Sequence, residues 1–198
     1  MEQHMQTIIF DMHGVIMKDP DGNLMPFINH TFPHKTFLEG EHDIYPIAKD
    51  AILGKISSHE FFRMVGFKGQ IDKVEKNHLN SLVLDEKFIP CATLLKKQYR
   101  LALLSNDVSE WSLYTRRKYD LDRFFDVIVV SGDVGLKKPF PEIYEYTLRQ
   151  LNQPATDCFF VDDRPGNLVP AAELGMKTIL FNGFDSLPAT LMKKAGAP

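Results

Sequence analysis

Five short apolar runs, near residues 6–10, 100–104, 127–130, 158–161 and 178–181, constrain this chain more than any other feature. They are apolar along their length rather than alternating, the pattern of strands buried on both faces of a parallel sheet. Helix-like segments separate the later runs. Residues 108–118 follow Asp107, which stands at capping-box spacing from Glu110. Residues 141–151 open on Pro141, a residue suited to the first helical turn. Residues 167–174 begin near Asn167 and end at Gly175, a C-cap glycine. Strand and helix in alternation predict an α/β fold: a Rossmann-like, five-stranded parallel sheet with helices on both faces.

Four of the runs lead into reactive residues. Thr7-Ile8-Ile9-Phe10 runs into Asp11, with Gly14 three residues on; Leu101–Leu104 precedes Ser105-Asn106; Val127–Val130 lies ahead of Lys138-Pro139; Phe159–Val161 precedes Asp162-Asp163. Ligands bind at the carboxyl edge of such sheets. Taken singly, each group has a bland reading: a turn for Asp11, helix capping for Ser105, Asn106 and the acidic pair, a solvated loop for the lysine. Taken together, they suit one site. Asp11 is the candidate nucleophile. Ser105, Asn106 and free helical N–H groups can bind a phosphate. Lys138 can neutralise phosphate charge and fix the nucleophilic carboxylate, and Pro139 restricts its backbone. Lys137 reads as a solvated loop residue. Asp162 and Asp163 repel unless a cation or proton intervenes; Mg²⁺, a hard ion with oxygen ligands, would resolve this. Neighbouring strand residues face opposite ways, so one Asp is expected to ligate directly and the other to support it.

A long insertion breaks the alternation after the first strand. Residues 15–27 read as a hairpin: Val15-Ile16-Met17, a turn at Asp19-Pro20-Asp21-Gly22-Asn23, then Leu24-Met25. Residues 28–44 are irregular, and 45–53, 57–65 and 71–82 look helical, with Ser57 and Glu60 as a second capping box. The insertion is too large for a simple loop. Residues 18–84 are therefore expected to form a flap and small helical cap domain over a core of residues 1–17 and 85–198. His30, His34, His42, His59 and His78 are expected on the surface or in the cap, and any one of them could meet substrate.

A net charge of −3 over 198 residues argues against a nucleic-acid or anionic-membrane partner. No apolar run approaches the ~18 residues of a membrane span, and Met1-Glu2-Gln3-His4 has no signal-peptide core. The expectation is a cytoplasmic protein, a monomer or weak homodimer. Cys91 and Cys158 lack metal-ligand spacing, and nothing supports a disulfide between them. The seven histidines show no zinc-type pair.

In order along the chain, Ile-Ile-Phe-Asp11-Met12-His13-Gly14, Leu-Leu-Ser105-Asn106, Lys138 before Pro, and Asp162-Asp163 followed by a helix ending in Leu-Gly-Met resemble the four motifs of the haloacid dehalogenase superfamily. The insertion resembles that of members with a helical cap between the first and second motifs, many of which are phosphatases of small metabolites, including sugar phosphates. The resemblance implies that Asp11 attacks phosphorus to form an aspartyl-phosphate. It also implies Mg²⁺ held by Asp11, the backbone carbonyl of His13 and the acidic pair, most directly Asp163. Ser105, Asn106 and Lys138 would bind the phosphoryl oxygens.

Position 13 departs from the family pattern, which usually carries an acid/base Asp there. Imidazole can exchange protons near neutrality, whereas losing an acid/base typically costs about 10²–10⁴-fold. The function implied is Mg²⁺-dependent hydrolysis of a small phosphomonoester, possibly a sugar phosphate. The alternatives are a dehalogenase or phosphotransferase of the same superfamily, or a catalytically impaired regulatory protein that binds phosphate esters.

Overall fold

The computed structural model of the chain describes residues 5–19 and 44–195. Among these, five strands form one parallel sheet: β1 (Thr7–Phe10), β2 (Arg100–Ser105), β3 (Val127–Val130), β4 (Cys158–Asp162) and β5 (Lys177–Leu180), in the order β3-β2-β1-β4-β5. The expected α/β class and strand positions hold. β2 and β4 each run one residue further than expected, so Ser105 and Asp162 are the last residues of their strands.

Every residue of β1 and β4 is buried, because both sheet faces are covered. Ile8, Phe10, Leu101, Leu103, Phe159 and Val161 belong to one apolar cluster, and Ile9, Ala102, Leu104, Cys158 and Phe160 to the other. This is the period-two alternation of a strand read out on two cores. The helices α4 (Phe88–Leu95) and α9 (Leu187–Ala195) contribute to the first cluster, α7 (Pro141–Leu151) and α8 (Pro165–Glu173) to the second. Phe88 anchors the first: its ring lies 5.6–6.1 Å from those of Phe10, Phe124, Phe125 and Phe184. Burying one such side chain contributes about 1.5–3 kcal/mol.

The three expected insertion helices are α1 (Ile44–Ile52), α2 (Ser58–Met64) and α3 (Ile71–Ser81). The Ser57–Glu60 capping box forms, with Ser57 N–H donating to Glu60 Oε2 at 2.8 Å and Glu60 N–H to Ser57 Oγ at 3.2 Å. Phe61, Phe62, Val65 and Leu79 join the first apolar cluster, where Trp111 of α5 (Ser109–Lys118) packs against both phenylalanines. α5 also grips the end of α3. Lys118 Nζ donates to the carbonyls of Leu79, Asn80 and Leu82, and Tyr119 OH to that of Leu82 at 2.7 Å.

Three local expectations are corrected. Val15-Ile16-Met17 is a turn, not a hairpin arm: the amides of Ile16 and Met17 both donate to Met12 C=O. Across from this turn run residues 83–85, with Lys18 N–H donating to Val83 C=O and Asp85 N–H to Ile16 C=O. The expected return at Leu24-Met25, and His30, His34 and His42, lie outside the described residues. Second, no capping box forms at Asp107–Glu110. α5 has Val108 as its N-cap, because the Asp107 carboxylate accepts from its neighbour's amide and Glu110 accepts instead from Ser58 N–H. Third, α8 starts at Pro165, two residues before Asn167, since proline at the first helical position forfeits no hydrogen bond. No helix among the described residues is long and apolar enough to cross a membrane.

Candidate functional site

Strand order places β1 beside β4 where the sheet reverses its winding, the position at which α/β sheets hold ligands. Phe10 is in register with Val161, and Asp11 N–H still donates to Val161 C=O at 2.9 Å. The pairing therefore delivers Asp11 next to the acidic pair. Gly14 closes the turn with φ of 82°, and a Cβ there would collide with the carboxylate of Asp163. Only glycine permits both the left-handed backbone and this approach.

Lys138 is 2% exposed and its ammonium sits between two carboxylates, 2.7 Å from Asp11 Oδ1 and 2.8 Å from Asp162 Oδ2. Asp162, fully buried, also accepts from Arg164 N–H at 2.8 Å and through both oxygens from Asn167 Nδ2 at 3.0 Å. Protein donors thus occupy it on every side. Asp163, one residue beyond the strand, has a buried Oδ1 with no partner among the described residues. Ligand oxygens of Asp11, Asp162 and Asp163 lie within 4.8 Å of one another.

Among the described residues, three carboxylates against one ammonium leave an excess of negative charge at this site. Burial, opposed by Lys138 and reinforced by Asp162, pushes Asp11 up to about 6. Burial and then Asp162 also push Asp163 upward. Burial alone would lower Lys138, but Asp11 and Asp162 outweigh it and hold the ammonium charged. A small divalent cation suits this donor set: all-oxygen, net negative, with one unpartnered oxygen. Its charge would reverse the upward shifts.

Ser105 is fully buried beside this group, and its Oγ has no partner among the described residues. Asn106 is engaged differently from the sequence expectation. Its Oδ1 accepts Lys138 N–H at 2.8 Å and its Nδ2 donates to Lys138 C=O at 2.9 Å. The side-chain amide fastens the lysine's backbone and has one N–H left for a ligand.

His13 projects from the Asp11 turn with Nε2 3.2 Å from Asp107 Oδ2. Burial would lower its pKa, but the Asp107 carboxylate more than compensates and the ring ends above its ordinary value. His78 lies on α3, within the residues expected to form the cap, and is almost fully buried there, which lowers it to about 4. His59 pairs with Asp72 at 2.9 Å on the outside of the α2–α3 pair. Sequence reasoning passed over Asp107 and Asn167 as helix-start residues. Their sidedness depends on where each helix begins, and both helices begin elsewhere.

Comparisons with known proteins bear on the family and the fold. A drimenol cyclase of Aspergillus calidoustus is 34% identical over 125 residues, 60% of this chain but 23% of that protein, so the chain spans under a quarter of that relative's length. A D-ribitol-5-phosphate phosphatase of Bacteroides thetaiotaomicron is 26% identical over 185 residues, covering 87% of this chain and 90% of that one. A HAD family enzyme from the same organism, solved in complex with magnesium and inorganic phosphate, has a TM-score of 0.72 at 20% identity, covering 88% of this chain and 93% of that one. At that identity the likeness is one of fold. The family model for haloacid dehalogenase-like hydrolases matches residues 5–175, from before β1 to the end of α8 and Gly175. The chain belongs to the haloacid dehalogenase-like hydrolase family.

Proposed function

We propose that this chain is a Mg²⁺-dependent phosphatase of a small phosphomonoester, with a sugar phosphate as the preferred substrate class. The observation that carries the reading is the buried Lys138 ammonium bridging Asp11 and Asp162, with the unpartnered Asp163 oxygen beside them. The relative named for D-ribitol-5-phosphate and the magnesium-phosphate complex of the HAD family enzyme support the chemistry. Asp11, the backbone carbonyl of His13 and Asp163 would hold the ion, and Asp162 would support them. When bound, Mg²⁺ supplies positive charge to the phosphoryl oxygens and draws the substrate toward the nucleophile.

Asp11 attacks phosphorus as the ester P–O bond breaks, and an aspartyl-phosphate forms. Lys138 orients Asp11 and, with Ser105 Oγ and the remaining Asn106 N–H, stabilises charge on the phosphoryl oxygens. His13 gives its proton to the leaving oxygen. It then takes one from water, whose oxygen attacks phosphorus, frees Asp11 and yields inorganic phosphate. Residues 18–84 act as the cap that selects substrate over a core of 1–17 and 85–198. The same reading takes the protein as a cytoplasmic monomer or weak homodimer without a nucleic-acid partner, the last supported by its net charge of −3. Phosphate release from an aryl phosphate and a panel of sugar phosphates tests the proposal. Turnover is expected with Mg²⁺, to stop with chelator and to vanish in Asp11→Asn; no metal-dependent release across the panel would overturn it.

A further inference from the structure

We propose that Asp107 is a positioning residue that acts through His13, fixing which ring nitrogen is presented to substrate; this rests on the phosphatase reading. An ionised carboxylate only accepts hydrogen bonds. At 3.2 Å from Asp107 Oδ2, His13 Nε2 is therefore the protonated nitrogen, and proton exchange with a ligand falls to Nδ1. That atom is buried and has no partner among the described residues. Buried polar atoms nearly always find a partner, so an unmet ring nitrogen two residues from the nucleophile points to a group that arrives with the ligand. The ester or hydroxyl oxygen of a phosphomonoester supplies one.

Asp107 is held as an orienting group requires. It is 7% exposed, and its Oδ1 accepts Val108 N–H at 2.8 Å. Its own N–H donates to Ser131 Oγ at 2.9 Å, and Ser131 Oγ donates onward to the Ile52 carbonyl of α1 at 2.7 Å. Gly132 N–H closes the cradle on Asp107 C=O, and a Cβ at Gly132 would lie 2.9 Å from that oxygen. The carboxylate's direction is thus set by backbone and by a buried hydroxyl, independently of His13. One side chain orienting an imidazole whose other nitrogen does the chemistry is the division of labour in hydrolase triads. Here it would let a histidine serve where the family resemblance expects a single carboxylate. The pairing needs both residues: imidazole at position 13 without Asp107 could turn either nitrogen inward.

Two measurements on the full chain test this. Proton NMR of the wild type should show a slowly exchanging imidazole N–H resonance, identified by its loss in His13→Gln. Asp107→Ala should abolish it, and persistence there would overturn the proposal. In kinetics with Mg²⁺, Asp107→Ala should lower kcat tenfold or more on an alkyl phosphate and much less on an aryl phosphate, because only the poorer leaving group needs a well-placed proton. KM should stay within about twofold. In the His13→Gln background the same substitution should cost less than about twofold. Multiplicative losses in the double variant would mean that Asp107 does not act through His13. Asp107→Leu, close in size and without an acceptor, replaces Asp107→Ala if the latter fails to fold. A wild type with the resonance but no phosphatase activity would reject the phosphatase reading and, with it, the role of the pair in turnover.

Discussion

Among the described residues, the ammonium of Lys138 is the cation that bridges two buried carboxylates, and replacing it separates charge balance from catalysis. Lys138→Met keeps the packing over Phe160, whose ring centre lies 5.5 Å from Nζ, but strands Asp11 and Asp162 without a counter-charge. Removing one partner of a buried ion pair costs about 3–5 kcal/mol. Urea unfolding in chelator should show a loss of that size, and Mg²⁺ should restore part of it if the acidic group binds the ion. A loss below ~1 kcal/mol would mean that the carboxylates are not charged together in the folded protein. At this scale the residue types were legible: Asp11, Asp162 and Asp163 from the ends of apolar runs, and Lys138 from its place before Pro139. What each carboxylate does was not. Asp162 is saturated and Asp163 is open because Lys138, Arg164 and Asn167 all converge on the former.

At the scale of elements, one motif occurs twice and forms once. Ser57-x-x-Glu60 makes both reciprocal bonds, whereas Asp107-x-x-Glu110 makes neither. The difference lies in competition: among the described residues the half-buried Ser57 bonds only within its own helix, while the buried Asp107 has Val108 N–H and His13 within reach. Ser57→Ala should therefore destabilise by about 1 kcal/mol, lowering the melting temperature by roughly 2–4 °C for a chain of this size. Thermal denaturation checks this, and Ser57→Thr should recover most of the loss. The helix over Pro141–Leu151 was legible to the residue because proline starts it and Asn152, at φ of 52°, ends it. The turn at 15–17 was not, since its bonding partner, residues 83–85, lies some seventy residues away along the chain.

At the scale of the whole molecule, α3 buries His78 against Trp111, with ring centres 5.9 Å apart. Burial lowers His78 to about 4, against an ordinary value of 6.5. Between those values the unfolded chain takes up a proton that the folded chain refuses, so this residue's contribution to stability falls as pH drops from about 7 toward 4. The difference amounts to up to about 3 kcal/mol. Asp11, raised to about 6, works in the opposite sense over part of the range, so the comparison must be between variants. The melting temperature of His78→Gln should fall less steeply than the wild type's from pH 7 to pH 4.5, and parallel curves would refute the assignment. The strand–helix alternation, the parallel sheet and the chemical identity of the groups at its carboxyl edge were all legible in the residue pattern. Those follow from local apolar periodicity and from short-range terminators such as Pro141 and Gly175. That Asp107 meets His13, that Asn106 fastens Lys138, and that Asp163 rather than Asp162 keeps an open oxygen came from packing between distant segments. Each of these depends on which way a side chain turns when distant segments compete for it. That competition is settled by burial and charge in three dimensions, which local sequence pattern does not encode.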